Sequence, residues 1–279
     1  MVPKFTVITV TYNSTDVLVR MLDSLPLNVP VIAVDNGSAD IERLRAMSQS
    51  RSFMLLENEY NLGFGVACNR GAHHANTEFL LFLNPDAKLT EGCLDEVFSA
   101  FSSYPNCVAL NPAIIDSNGK EYFRRGSVLL NKSLWLPRGW PTEDRTVNIL
   151  SGSALFTRKT VFDEIGGFDE HIFLYHEDDD LSLRISAYGD LMFIKNAKVE
   201  HSGGRSSPRS PAVAALKALH MGRSRVYAGR KHKVRFPVVK PLVGAFLQLC
   251  SPINIFSHRK RAKSVAFLNG IIVEALRRS

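Results

Sequence analysis

The chain has 279 residues, of which 45% are hydrophobic and 22% are charged, and its net charge is +7. So many apolar residues exclude an intrinsically disordered protein, and the length suits one large domain or two modest ones. The charge is uneven, because residues 203–279 hold 16 Lys and Arg with one acid, whereas residues 1–202 hold 18 basic and 26 acidic residues.

Short β runs alternate with helical runs over the first hundred residues. The strand candidates are rich in β-branched and aromatic residues and lie at Phe5–Val10, Val31–Val34, Phe53–Leu56 and Phe79–Leu83. The helix candidates lie at Thr15–Leu25, Ile41–Ser50, Val66–Ala75 and Thr90–Tyr104. This alternation predicts an α/β fold with a mostly parallel sheet, whose ligands bind beyond the carboxyl ends of the strands.

Beyond residue 104 the pattern is less regular. Several prolines in residues 105–150 predict loops and short strands. Later strands are predicted at Leu150–Thr157, Leu191–Ile194 and Lys198–His201, and later helices at Lys159–Ile165, Asp178–Ala187, Ala212–Lys231 and Val265–Leu276. The chain is therefore expected to extend its sheet and then to end in basic helices.

Two polar motifs follow the first two predicted strands. They are Thr11-Tyr12-Asn13-Ser14 and Asp35-Asn36-Gly37-Ser38. A carboxylate at the end of a strand can accept hydrogen bonds from a base or a ribose, Gly37 permits a tight turn, and Ser38 suits a helix cap. Ordinary turn and capping chemistry explains the same residues, so each motif alone leaves both interpretations open.

Two further motifs follow the third and fourth predicted strands. In the loop Asn61–Gly71 the glycine spacing is not that of a dinucleotide fingerprint, although its glycines would let a ligand approach the backbone. In Asn84-Pro85-Asp86 a single carboxylate ends a very apolar strand and suits Mg²⁺ or Mn²⁺ when phosphates supply the other oxygens. A closely packed helix start and an ordinary turn are the alternatives.

The most unusual segment is Tyr175–Arg184, which contains four consecutive acids, Glu177 to Asp180. These acids repel one another, and helix N-terminal N–H groups or a metal would offset the repulsion. The apolar residues on both sides favour acids that line a cleft over acids on a solvated face.

A last motif follows the last predicted strand, at residues 201–206. His201 is either a metal ligand or a polar residue that ends a strand. The two glycines after it and Arg205 offer backbone N–H groups and a cation to a diphosphate.

In their order, these motifs resemble those of the inverting, nucleotide-sugar-dependent glycosyltransferases of family two, and most of all the rhamnosyltransferase-like branch. The match spans about residues 5–206 and also includes Ser151-Gly152-Ser153-Ala154 and Gly166-Gly167-Phe168-Asp169. The resemblance implies the GT-A fold, a Rossmann-like mixed sheet flanked by helices.

The resemblance also implies roles for individual residues. Asp178 would be the catalytic base, with Glu177 as the neighbouring candidate, while Asp86 and His201 would bind a divalent metal, Mg²⁺ or Mn²⁺. Asn84 departs from the family's Asp-x-Asp motif and leaves Asp86 as its sole carboxylate. The residues expected to bind the nucleotide-sugar are Thr11, Tyr12, Asn13, Asp35, Asn36, Ser38, Asn61, Gly63, Phe64, Asn69, Asn84, Gly152 and Arg205.

The implied activity transfers a sugar, rhamnose by analogy with the branch, from a dTDP or UDP donor to a glycan or lipid-linked saccharide in bacterial cell-surface polysaccharide synthesis. A carboxylate must take the proton of the acceptor hydroxyl, and a metal stabilises the leaving diphosphate. The alternatives are transfer of another hexose or of galactofuranose on the same fold, and a non-catalytic relative that binds sugar nucleotides.

The charge asymmetry predicts two parts. We expect a catalytic domain at 1–206, with a nucleotide-sugar half at about 1–110 and an acceptor half at about 111–206, and a basic helical C-terminal extension at 207–279.

In the extension, prolines and Lys240 interrupt the apolar stretch Phe236–Phe256, which favours an interfacial segment over a membrane span. Flanking basic clusters suit an anionic membrane surface, with a solvated helical face as the alternative. The extension lacks the interleaved aromatic residues that nucleic-acid binding would need.

The cysteines and the start of the chain bear on location. Four widely spaced cysteines without a Cys-x-x-Cys pair predict reduced thiols. Met1–Lys4 leads directly into the first predicted strand without a signal-peptide pattern. We therefore expect a cytoplasmic protein, peripheral at the inner face of the cell membrane if the extension binds lipid.

Overall fold

The computed structural model describes residues 4–116, 118–201, 210–251 and 257–277. The strands, in chain order, are β1 (Phe5–Thr11), β2 (Val31–Asp35), β3 (Met54–Glu57), β4 (Phe79–Leu83), β5 (Ala87–Leu89), β6 (Cys107–Ile115), β7 (Glu121–Tyr122), β8 (Arg145–Thr146), β9 (Ala154–Arg158) and β10 (Asp190–His201). The helices are α1 (Thr15–Asp23), α2 (Ile41–Arg51), α3 (Phe64–His73), α4 (Cys93–Ser103), α5 (Lys159–Glu164), α6 (Glu177–Ile185), α7 (Pro211–Lys231), α8 (Val239–Leu249) and α9 (His258–Leu276), with a 3₁₀ turn at Lys132–Leu134.

All ten strands form one mixed sheet. Its main path has the order β3-β2-β1-β4-β9-β6-β10-β5, while β7 pairs with β6 and β8 with β10. Along this path only β9 and β5 run against the other six strands. The predicted α/β class with a mostly parallel sheet is confirmed.

The centre of the sheet is buried on both faces. All five residues of β4 are buried, and they alternate between two hydrophobic clusters. Phe79, Leu81 and Leu83 belong to one cluster, whereas Leu80 and Phe82 belong to the other. A strand covered on both sides needs an uninterrupted apolar sequence, which explains why this run contains no polar residue.

The parallel register brings the ends of the first strands to one edge. Thr11 of β1 pairs with Asp35 of β2, and Asp35 pairs with Glu57 of β3. The polar motifs that follow these strands therefore meet at the carboxyl edge of the sheet, where α/β proteins bind ligands.

The expectation of loops and short strands at residues 105–150 was wrong for β6, a nine-residue strand inside the sheet. Pro112 lies within β6 and cannot donate a ladder hydrogen bond. The neighbouring β10 changes register between Ile194 and Lys198, opposite Pro112 and Ala113. This irregularity lets the sheet accept the proline, and it also joins the two predicted late strands into one.

The C-terminal helices pack on one another. Val226 of α7, Ala245 of α8 and Ile271 of α9 form a small core of their own. Gly222 and Gly270 lie where α7 and α9 cross, and a Cβ atom at Gly270 would overlap the carbonyl oxygen of Leu219. Across the described ranges, no helix is both long and apolar enough to span a bilayer.

We expect Gly270→Ala to separate α7 from α9 and to lower the free energy of unfolding by about 1–3 kcal/mol, as overpacking does elsewhere. Urea unfolding followed by circular dichroism measures the change. Gly244→Ala is the matched control, because a Cβ atom there meets no neighbour within 4 Å on α8. The control should be neutral or stabilising by about 0.5–1 kcal/mol. Equal effects of the two substitutions would contradict the close crossing.

Candidate active site

A cavity of about 700 Å³ opens at the carboxyl edge of the sheet. One side comes from the ends of β1, β2 and β4, and the other comes from residues around α6 and from α7. Of the residues predicted for the site, the cavity is lined by Tyr12, Asn36, Asn61, Gly63, Phe64, Asn84, Gly152, Glu177, Asp178 and His201. Residues from motifs up to 189 positions apart in the sequence thus meet around one space.

The other predicted residues are placed differently. Thr11, Asn13, Asp35, Ser38, Asn69 and Asp86 do not line this cavity. Arg205, and with it the motif at residues 202–206, lies outside the described residues. The hydrogen bonds of these six residues, described next, explain why they lie outside the cavity lining.

Asp35 organises the turn after β2. Its Oδ2 accepts hydrogen bonds from the backbone N–H groups of Gly37 and Ser38 at 3.0 and 2.8 Å. Its Oδ1 accepts from the hydroxyl groups of Thr11, at 3.0 Å, and Ser38. Asp35 is 1% exposed, so its carboxylate is buried beneath the cavity and stabilises the turn that borders it.

Paired asparagines connect the loops around this turn. Asn36 donates to the carbonyl oxygen of Gly63 at 3.0 Å and accepts from Asn58 at 2.7 Å. Asn13 accepts from the backbone of Ala39 at 2.9 Å, which ties the first two motifs together. These bonds hold the loop at Gly63 over the end of β2.

Asn69 binds a distant turn. Its side chain donates to the carbonyl oxygen of Phe168 at 2.9 Å and accepts from the backbone N–H of the same residue at 2.8 Å. A Cβ atom at Gly167 would overlap the Asn69 side chain, which accounts for glycine there. Asn69 therefore fixes the Gly166–Asp169 turn next to α3.

Asp86 and His201, the two residues predicted to bind a metal, lie next to each other in a corner of the site. The Asp86 Oδ1 lies 3.2 Å from the His201 Nε2, and the Asn84 Nδ2 lies 3.4 Å from that nitrogen. The Asp86 oxygen and the His201 nitrogen contact each other directly, and their separation is close to the roughly 3 Å between adjacent ligands of an octahedral ion. In the described part of the chain, no cluster of three or more His, Cys, Asp or Glu side chains could hold a metal. An ion bound at this corner would need its remaining ligands from phosphates and water.

Three of the four acids of α6, Asp178 to Asp180, are compensated by basic side chains, mainly from other segments. Arg124 forms ion pairs with Asp178 and, at 2.6 Å, with Asp179, which His176 also contacts at 2.7 Å. The sequence alone favours helix N–H groups or a metal as the source of this compensation and gives no sign of Arg124. Its position in an irregular segment gave no spacing signal.

Asp180 is fully buried and compensated from α6 and from α7. Arg184 contacts it at 2.8 Å, while Lys231 and His232 contact it at 2.7 Å each. Burial alone would raise the pKa of Asp180, but the hydrogen bonds from His232 and Lys231 outweigh burial and hold that pKa below its ordinary value. The basic end of the chain therefore supplies counterions to the acidic segment.

Asp178 and Glu177 line the cavity side by side but differ in their partners. The Oδ2 of Asp178 accepts from Arg124 and from the backbone N–H of Gly152, the latter at 2.9 Å. The Glu177 Oε2 is buried without a hydrogen-bond partner among the described residues. Burial first, and then the charge of Asp178, raise the pKa of Glu177 to about 8.

The backbone before α6 is strained. Tyr175 and His176 have φ angles of 67° and 68°, in the left-handed region that L residues seldom occupy. Both residues line the cavity. Two consecutive residues in this conformation turn the chain sharply and aim Glu177 and Asp178 into the cavity, the kind of strain that is found at functional sites.

Helix α7 closes the second side of the cavity. Lys217, Met221 and Arg225 line it, and the ring of His220 stacks on Phe173 at 3.9 Å between centroids. The Ser224 hydroxyl donates to the carbonyl oxygen of Leu174 at 2.9 Å. The sequence analysis placed α7 in the extension and did not assign its residues to the site, because its pattern identifies a helix but not the surface that the helix covers.

A model of glycosyl transferase family 2 matches residues 6–166. The chain is 30% identical, over 92% of its length and 94% of the relative's, to an N-acetylglucosaminyl-diphospho-decaprenol L-rhamnosyltransferase of Mycobacterium tuberculosis. It is 24% identical to the dTDP-rhamnosyl transferase RfbF of Shigella flexneri, over 64% of this chain and 62% of that protein.

Two solved structures share the fold. The mannosyltransferase PcManGT from Pyrobaculum calidifontis, in complex with GDP-Man and Mn²⁺, superposes with a TM-score of 0.59 at 14% identity, covering 98% of this chain and 87% of that one. S. aureus TarS 1-349 superposes with a TM-score of 0.57 at 17% identity, covering 98% and 90%. These likenesses confirm the predicted GT-A fold.

Proposed function

The chain belongs to glycosyl transferase family 2 and is a glycosyltransferase, and from this premise we propose that it transfers rhamnose, with inversion, from dTDP-rhamnose to a lipid-linked saccharide. The observation that carries the proposal is one cavity with a metal-type corner and a pair of acids. The 30% identity to an L-rhamnosyltransferase over 92% of the chain supports the choice of sugar. The acceptor class, a saccharide linked to lipid through a diphosphate, follows that relative's name.

The donor would lie along the strand ends. Tyr12, Asn36 and Asn61 offer an aromatic ring and amide groups to the nucleoside on that side of the cavity. Asp86 and His201 would bind a divalent metal next to the diphosphate, where the ion would neutralise the charge that develops on the leaving group. Asp35, Asn13 and Ser38 would act by shaping the loops that hold the nucleoside.

Asp178 would be the base of the reaction. Arg124 and the Gly152 N–H fix its carboxylate at the cavity wall, ready to receive a proton from an acceptor hydroxyl. As that proton moves to Asp178, the hydroxyl oxygen bonds to the anomeric carbon and the bond from this carbon to the diphosphate breaks. Glu177 would be protonated at neutral pH and would limit the negative charge beside Asp178.

The main test is transfer by the purified full-length chain. With dTDP-rhamnose, a prenyl-diphosphate-linked N-acetylglucosamine and Mn²⁺ or Mg²⁺, we expect a rhamnosylated product by mass spectrometry, and we expect EDTA to abolish it. UDP-galactofuranose and UDP-glucose are the parallel donors. Transfer from one of these instead would replace the assigned sugar, and no transfer from any donor would support a non-catalytic protein.

A second test separates the two carboxyl groups. We expect Asp178→Asn to lower kcat by at least about 100-fold, because the base is lost, and Glu177→Gln to lower it by less than about tenfold. If Glu177 were the base, kcat/KM would rise as the pH increases through the Glu177 pKa of about 8. Glu177→Gln would then abolish this rise. That pH profile, or near-normal activity of Asp178→Asn, would reject Asp178 as the base.

We also propose that α8 binds the inner face of the cell membrane. Val239, Val243, Phe246 and Leu247 are 54–65% exposed and lie on one face of the helix. Lys240 adds a positive charge on the same helix, and exposed basic residues begin α9. An apolar face with basic neighbours is complementary to an anionic lipid surface, where a lipid-linked acceptor would also reside.

We expect the double variant Val243→Glu, Phe246→Glu to bind phosphatidylglycerol-containing vesicles at least about tenfold more weakly in flotation experiments, since two apolar contacts are lost. The matched control is Leu27→Glu, Leu134→Glu, which changes two exposed leucines elsewhere and should bind as the wild type does. Equal binding by both double variants would show that α8 is not the membrane contact.

A further inference from the structure

One cation of the cavity wall stands out on α7. Arg225 is partly buried and lines the cavity. Among the described residues, no carboxylate lies within 4.0 Å of its guanidinium group, and no hydrogen bond to that group is formed. Burial lowers the pKa of Arg225 with no compensating acid.

The neighbouring arginines differ. Arg124, which also lines the cavity, is paired with two aspartates, and Arg223 on α7 contacts Glu274 at 3.5 Å on the side facing α9. Because an arginine loses hydration when it is partly buried, an unpaired one at a cavity wall suits an anionic ligand. The planar guanidinium group matches phosphate oxygens in a bidentate arrangement.

The position of Arg225 separates it from the metal corner. Lys217 lies close enough to Asp86 for the two charges to interact. Arg225 follows Lys217 by eight residues, a rise of about 12 Å along the helix. Ser224, the residue before Arg225, donates a hydrogen bond to the carbonyl oxygen of Leu174, which lies three residues before Glu177. Arg225 therefore lies on the side of the cavity formed by the segment before α6, about 12 Å along α7 from Lys217 and the corner assigned to the donor diphosphate.

We propose that Arg225 binds a phosphate group of the acceptor, the diphosphate that joins its saccharide to its lipid. The proposal rests on the proposed function, since a lipid-linked acceptor is its premise. Arg225 would hold the acceptor so that its sugar hydroxyl reaches Asp178, while the donor occupies the strand ends. Arg225 is thus a binding residue for the second substrate.

The experiment measures binding of farnesyl diphosphate, a short lipid diphosphate, to the full-length protein by calorimetry in the presence of saturating dTDP and Mn²⁺. We expect Arg225→Gln to weaken this binding by about tenfold or more, and Arg225→Lys to weaken it less, because a charged hydrogen bond is lost or altered. Lys132→Gln, which removes an exposed charge outside the cavity, should bind as the wild type does. The affinity for dTDP with Mn²⁺, measured separately, should stay within about twofold in every variant.

Three results would overturn the proposal. Weaker dTDP binding by Arg225→Gln would assign the arginine to the donor, and unchanged farnesyl diphosphate binding would remove it from recognition of phosphate. Failure of the wild type to bind farnesyl diphosphate would also overturn it. Sugar transfer by the wild type is measured independently, so these results leave the proposed activity standing or falling on its own test.

Discussion

The compensation of three of the four consecutive acids, Asp178 to Asp180, is the constraint on which the site depends. Carboxylates that are buried side by side would destabilise the fold unless cations reached them. Those cations come from a segment before the acids, through Arg124, from α6 itself, through Arg184, and from the end of α7, through Lys231, beside which His232 contacts Asp180. The contacts of Arg124 and Lys231 tie other parts of the chain to α6, so the position of the acids and the packing of α7 are set together.

The uneven charge of the sequence takes on a structural meaning from this arrangement. The acidic and basic parts of the chain are partly each other's counterions, since Lys231 bridges Asp169 and Asp180 at 2.6 and 2.7 Å. Other basic residues lie on α8, on α9 or at the cavity wall and do not pair with these acids. The first population stabilises the fold, and the second carries the contacts that we propose to anionic ligands and lipids.

Much of the fold follows from local patterns, and parts of it do not. The apolar run of β4 and the polar residues after β1 and β2 predict a sheet with a site at its edge, since strand period and turn chemistry are local. The strand β6 escaped prediction because Pro112 is tolerated only through an irregularity of β10, about eighty residues later. Arg124 and Arg225 escaped for a similar reason, because no spacing in the sequence records that they meet the acids or the cavity. Asp35 was identified as a polar strand end, but its use inside a turn depends on four donors that only the folded chain assembles.

The two sides of the cavity have separate origins in the chain. Strand ends before residue 90, together with His201, build one side, and residues 122–178 and α7 build the other. Mutations in the later stretch can therefore reshape one wall while the first stays intact. Such an arrangement lets a lineage exchange one substrate for another without rebuilding the pocket for its partner, so the divergence of the two specificities need not be coupled.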